Sequence, residues 1–444
     1  MSDDAFAALY PAAADQMPVA MRMLVPRRPR LTSAPGNSGT FEEFYAPECR
    51  LARFSVTGTD EHIAVIDKAF PHTRYDFMFL VANDTIRCAP TDLSDATLAA
   101  TLDAVPEFVR FVAEAEPRRA YGLDDCTLTF GFNYDRDTTD RDNGQFFEKR
   151  FHMHFNCWAA RDLKGMVTSR FGDVTDPRIR RTMLDPVSFL GPSVMHEALQ
   201  HRFAMPALHG ARALPPDPTR DAALGLPLGL KFELPDWDYV ATPDCRRLIR
   251  DLHTTADAAF RDLHVAFTGV APPGKAWYRA PLLPQATVTA RLDAVPYLSA
   301  ETCTSLAVLR GALRDADDMP ALRRNASLAA SRLVLAGLDY HLGIYSPPYV
   351  DSAHSGTRRP VYLYIQFKLL SRIGGGPAIG GAAAVQVDRS GGPAFTDEEL
   401  QARRGLLEEF TRRQVTRLAR LGTIENVRLP GTQSTIRADG RDHL

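Results

Sequence analysis

"EKRFHMHFNCW" (148–158) alternates polar and apolar residues from Phe151 onward, the two-residue period of a half-buried β-strand. Residues i, i+2 and i+4 of a strand share a face, so His152, His154 and Asn156 form one row with about 7 Å per two-residue step. Met153 and Phe155 fall on the other face, towards a core. Three readings of the row are open: cross-strand pairs on a wet sheet face, a metal site, or a nucleophile. Imidazole is a competent nucleophile near neutral pH, and Lys149 and Arg150 at the strand entry would offset the charge of a phosphate.

Upstream, "HIAVIDKAFP" (62–71) and "YDFMFLVA" (75–82) are β-branched and aromatic runs around a Pro-containing turn, which predicts an antiparallel strand pair. "TDLSDATLAATLDAVPEFVRFVAEAEP" (91–117) spaces its apolar residues by three and four, with Ser94 or Thr91 as N-cap and Pro106 as a potential kink. "CTLTFGFNY" (126–134) predicts another strand, and the polar "DRDTTDRDNGQ" (135–145) a solvated loop over the site. Strand, strand, long helix, strand, loop and strand give an α+β class, an antiparallel sheet with a helix on one face.

The order recurs downstream. "WYRAPLLPQATVTARL" (277–292) takes the place of the opening strand, "SAETCTSLAVLRGALRDADD" (299–318) that of the helix, and "GLDYHLGIYSPP" (337–348) and "RPVYLYIQFKLLSRI" (359–373) those of the closing strands. The expected organisation is an arm over 1–50, a first repeat over 51–160, an insertion over 161–275 with a helix at 242–264, and a second repeat over 276–444. The tail helix, 396–421, opens on a Thr-x-x-Glu capping box.

The formal charge of -2, from 52 basic and 54 acidic residues, excludes a global field for nucleic acid or an anionic membrane. Six scattered cysteines give neither a disulfide framework nor a zinc ribbon and suit a reducing cytoplasm, and no run is apolar enough to span a membrane or act as a secretory signal. His196, Glu197 and His201 have the wrong spacing for a zincin helix, and "RIGGGPAIGG" (372–381) lacks the ending of a phosphate loop.

Residues 62–158 resemble the histidine-triad superfamily. The matching features are the strand pair "AVIDKAFPHTRYDFMFLVA", the helix "PTDLSDATLAATLDAV", the strand "LTFGFNYDR" and the motif "FHMHFN". The recurrence resembles the duplicated branch containing galactose-1-phosphate uridylyltransferases and dinucleoside-polyphosphate phosphorylases. The resemblance implies that His154 is a nucleophile forming a nucleotidyl-histidine and that His152 orients the motif or, as in some relatives, holds a structural metal. It further implies that Asp67 contacts a ribose and Asn133 the phosphates. Asn156 occupies the third motif position, where an amide hydrogen-bonds a phosphate oxygen without changing charge, which favours transfer or phosphorolysis over hydrolysis. The small-residue approach of the family is replaced by "QFFEKR", so Gln145, Lys149 and Arg150 complete the expected substrate-binding set. Tyr362, Tyr364 and Gln366 form the equivalent row of the second repeat, without an imidazole.

The function expected is a nucleotidyl transferase or phosphorylase acting on a nucleotide or nucleotide sugar in the cytoplasm. The alternatives are a hydrolase or lyase of the same fold that has left nucleotide substrates, and a non-catalytic nucleotide-binding protein. A structural zinc, or a divalent cation arriving with the nucleotide, are the cofactors the resemblance allows. Its relatives also suggest a homodimer, with neither nucleic acid nor membrane as partner.

Overall fold

Among the described residues, eleven strands form one sheet: β1 (Arg50–Val56), β2 (Glu61–Ile66), β3 (Tyr75–Asn83), β4 (Cys126–Asn133), β5 (His152–Ala159), β6 (Ala207–Leu208), β7 (Ala211–Leu214), β8 (Leu230–Leu234), β9 (Tyr340–Ser346), β10 (Val361–Phe367) and β11 (Gly422–Val427). The α-helices with full bounds among the described residues are α1 (Asp95–Ala113), α2 (Pro186–Phe203), α3 (Pro243–Thr268), α4 (Gln285–Asp293) and α5 (Asp397–Leu418). These come from a computed structural model that describes residues 50–66, 75–83, 89–114, 126–133, 152–159, 186–215, 230–271, 283–304, 306–307, 340–346, 360–367, 397–418 and 422–427. The class is α+β, as the sequence predicts, and every strand pairing is antiparallel.

The strand order is β11-β1-β2-β3-β5-β4-β9-β10-β8-β7-β6. Its middle has a mirrored plan. On one side β2-β3-β5-β4 is a hairpin, a helix (α1) and a second hairpin inserted antiparallel beside β3; on the other, β7-β8-β10-β9 repeats that plan around α3. The segment expected as an insertion, 161–275, therefore supplies three strands and two long helices, including the helix anticipated at 242–264. The stretch 277–292, expected to open the second set of strands, is instead helical from Gln285. Pro284 sits at its N-cap with an extended ψ of 147°, and Val288 and Leu292, four apart, are buried on its inner side. Its β-branched residues imitate strand composition, but the apolar spacing is that of a helix.

Alternation sorts the sheet into two faces. Ile63 and Val65, Leu128 and Phe130, Met153 and Phe155, Leu342 and Ile344, and Leu230 and Phe232 are all buried, and these positions share one face. Helices α1 and α5 seal it through an aromatic cluster. Phe108 of α1 meets Phe130, Phe155 and Phe410 edge-on at centroid distances of 5.9, 5.5 and 5.0 Å, a geometry in which the positive ring edge meets the negative face.

The first turn of α1 is fixed from the sheet. Buried Glu61 of β2 accepts from the Ser94 backbone N–H (2.9 Å) and hydroxyl (2.6 Å), while Ser94 Oγ accepts from the Thr97 N–H (3.1 Å) as N-cap. The helix runs on through Pro106 to Ala113. The helical layer is tied by arginines: Arg417 of α5 donates to the Ala100 carbonyl (2.8 Å) and lies 3.8 Å from Asp103, and Arg246 and Arg250 of α3 both reach Asp95. Burial holds the Asp103 carboxyl above its ordinary range and depresses the Arg417 guanidinium.

Candidate functional site

The predicted row lies on β5, with four strands beyond it on one side and six on the other. Because Met153 and Phe155 are buried in the aromatic core, alternation places positions 152, 154 and 156 on the face turned away from α1 and α5. The strand is apolar on that inner side because two helices need covering there. Its polar positions are thereby committed to the other face.

Register identifies the neighbours of each position. His154 stands between Met78 of β3 and Gly131 of β4, His152 between Leu80 and Asn133, and Asn156 between Asp76 and Thr129. Two predicted site residues, His152 and Asn133, are thus direct cross-strand partners, with Cα atoms about 4.5–5.5 Å apart. Asp67, Gln145, Lys149 and Arg150 lie outside the described residues.

The same rows continue into the other half of the sheet. Gly131 pairs with Gly343 of β9, Gly343 with Tyr364 of β10, and Tyr364 with Lys231 of β8. His154 therefore faces two consecutive strands that carry no side chain at its level. The row of Tyr362, Tyr364 and Gln366 takes the mirrored place: Tyr364 is to Gly343 what His154 is to Gly131. His341 of β9 pairs with Gln366 and is one step past the Phe132–Leu342 pair, which sets it at the level of Asn133 and His152.

The described charged positions of this face are of both signs: Asp76 and Glu233 fall in the row of Asn156, with Glu233 paired to Arg212 of β7. Arg53 of β1 sits in the row of His152, three strands from β5, and Lys231 in the row of His154, four strands away on the other side. Lys231 is fully buried, so its ammonium is held in a setting where charge interacts more strongly than in water. Among the described residues no three His, Cys, Asp or Glu side chains come close enough together to hold a metal ion.

Sequence reasoning missed Gly131, Gly343, Asp76 and His341. The run "YHLGIYS" (340–346) does alternate His, Gly and Tyr on one face, a signal visible in the sequence. What makes it meaningful is the pairing of β4 with β9, which the sequence does not state. No family model matches the chain, and comparison with curated proteins and with solved structures finds no match. No helix among the described residues is long and apolar enough to cross a membrane.

Proposed function

We propose that the protein transfers nucleotidyl groups, as a transferase or phosphorylase, through a covalent intermediate on His154. The observation that carries this reading is the placement of His154: mid-sheet on β5, on the face opposite the aromatic core, in a row with His152 and Asn156 and beside Asn133. The strand plan around it, hairpin, helix, hairpin, is the one the histidine-triad resemblance implies. The mirrored plan of β7-β8-β10-β9 supports a degenerate second copy that begins near Ala211.

In this reading an imidazole nitrogen of His154 attacks the α-phosphorus of a nucleotide or nucleotide sugar. A P–N bond forms and the bond to the leaving oxygen breaks; an acceptor oxygen then attacks the same phosphorus and restores the imidazole. His152 orients the motif, and the amides of Asn156 and Asn133 bind phosphate oxygens through N–H donors. Asp67 holds the ribose, and Gln145, Lys149 and Arg150 supply the approach and the positive charge that β5 itself lacks. A divalent cation would enter with the phosphates, while a structural zinc would have to combine His152 with residues outside the described segments. A cytoplasmic homodimer is part of the same proposal, and the free, buried thiols of Cys245 and Cys303 fit a reducing compartment.

The decisive experiment incubates the full chain with nucleoside diphosphates and nucleotide sugars of each base and follows intact mass. The expected result is an adduct of one nucleotidyl group that is absent from His154→Ala and discharged by an acceptor such as inorganic phosphate. Nucleotide binding without any adduct would make the protein a binding module. Absence of binding altogether would remove the proposal.

A further inference from the structure

We infer that His341, from the other half of the sheet, is a second catalytic imidazole: the acid that protonates the leaving oxygen while His154 attacks, and the base for the returning acceptor. The inference rests on His154 as nucleophile, and it goes beyond that reading by assigning proton transfer to a residue outside the His-x-His motif.

Gly131 and Gly343 are register partners, and Gly131 is also the partner of His154, so on this face the sheet is bare backbone for two strands beside the nucleophile. One edge of the patch is His154. The adjoining row, two residues along, is formed by His152, Asn133 and then His341, which neighbours Gly343 at i−2 on the same strand. A phosphorus atom over Gly131 would therefore lie between the register positions of His154 on β5 and His341 on β9, which are diagonal to each other on the same face.

The distance suits the task. Two strand spacings of about 4.8 Å and two residues of about 3.4 Å put the Cα atoms of His154 and His341 about 12 Å apart. Two imidazole side chains and one phosphoryl group together span that gap. Other ionisable positions on this face do less well. His62 of β2 is also two strands from β5 but about four residues along, which places it about 17 Å from His154. Tyr364 is three strands away, and its phenol ordinarily stays protonated until about pH 10. Asp76 neighbours Asn156, but a carboxylate is ordinarily already ionised at neutral pH and has no proton to give. Among these, histidine alone both gives and takes a proton near neutrality.

The proton balance closes over the two half-reactions. In the first, the His341 imidazolium passes its proton to the leaving oxygen as the P–O bond breaks and the P–N bond to His154 forms. In the second, neutral His341 takes the proton of the acceptor as its oxygen bonds to phosphorus and the P–N bond breaks. Both histidines end as they began.

The test uses leaving groups that differ in their need for a proton. Full-length wild type, His341→Gln and His341→Asn are given nucleoside 5′-diphosphates of each base, and separately the 4-nitrophenyl esters of the nucleoside 5′-monophosphates. Formation of the His154 adduct is followed by quenched intact mass. With diphosphates both variants are expected to slow by about 10²–10⁴-fold, with loss of the pH-dependent limb that reports the acid. With nitrophenyl esters, whose leaving phenolate needs no proton, most of the wild-type rate should remain, which also shows that the variants are folded. Equal slowing on both substrate classes in both variants, or no slowing on either, overturns the assignment while leaving His154 in place. Failure of wild type to form any adduct overturns the nucleotidyl-transfer reading itself, and His341 with it.

Discussion

Removing the ring of Phe108 tests the packing on which the functional argument depends. Phe108 is fully buried at the point where α1 meets β4, β5 and α5, and it touches the rings of Phe130, Phe155 and Phe410 edge-on at 5.9, 5.5 and 5.0 Å. Truncation to alanine loses the transfer free energy of the ring and leaves a cavity that three neighbouring rings, themselves mutually locked, fill poorly; about 3–5 kcal/mol is expected. Phe108→Leu keeps most of the burial but forfeits three edge-to-face contacts of about 0.5–1.5 kcal/mol each, an upper figure of roughly 4.5 kcal/mol and a lower one near 1.5 kcal/mol. Urea unfolding should show both variants with lowered midpoints and an unchanged slope, alanine the worse. A double-mutant cycle with Phe410→Leu should return a coupling of about 0.5–1.5 kcal/mol. If Phe108→Ala cost less than about 1 kcal/mol, α1 would not be seated on β5 through this ring. The assignment of Phe155 to the core face, and of His154 to the opposite one, would then lose its support.

Glu61→Ala should destabilise by about 1.5–3 kcal/mol in the same assay, because the carboxylate accepts both the backbone and the hydroxyl proton of Ser94; Ser94→Ala, which removes the cap but leaves Glu61 an N–H to bind, should cost about 1 kcal/mol. Arg417→Met should show a pH-dependent defect. The Asp103 carboxyl is already raised by burial and Arg417 is the leading charge holding it down, so its removal raises it further. A carboxyl with a folded pKa above the unfolded one contributes stability that is complete below the unfolded pKa and lost as pH rises through the folded value. The variant should therefore lose more stability relative to wild type at pH 7 than at pH 4, as read from urea midpoints, and a defect equal at both would refute the coupling.

How much of this was legible beforehand follows the range of the forces involved. Strand β5, the α1 cap (Ser94, of the two candidates Ser94 and Thr91) and the tail helix are readable because each is written in neighbouring residues: a two-residue alternation, a hydroxyl before a helical period, apolar residues spaced by three and four; Thr396 of the capping box lies outside the described residues. The mirrored set of strands is partly misplaced because β6, β7 and β8 have only two, four and five residues and carry too little pattern to outweigh the β-branched run at 287–289, which tertiary packing makes helical. Strand β11, joined to β1 at the sheet edge, was not anticipated at all. The pairing of Gly131 with Gly343 joins residues 212 positions apart (343 − 131), and nothing local specifies it.

That pairing also governs how the molecule can move. The two mirrored halves are joined edge to edge by the β4–β9 ladder, which runs from Leu128–Ser346 to Phe132–Leu342. Swinging one half against the other would mean breaking main-chain hydrogen bonds in the middle of a sheet. The span from position 154 to position 341 is accordingly set by backbone geometry, much as two pegs are set by the board that holds them. Variation among descendants of this plan would be expected to exchange pegs and leave the board unchanged.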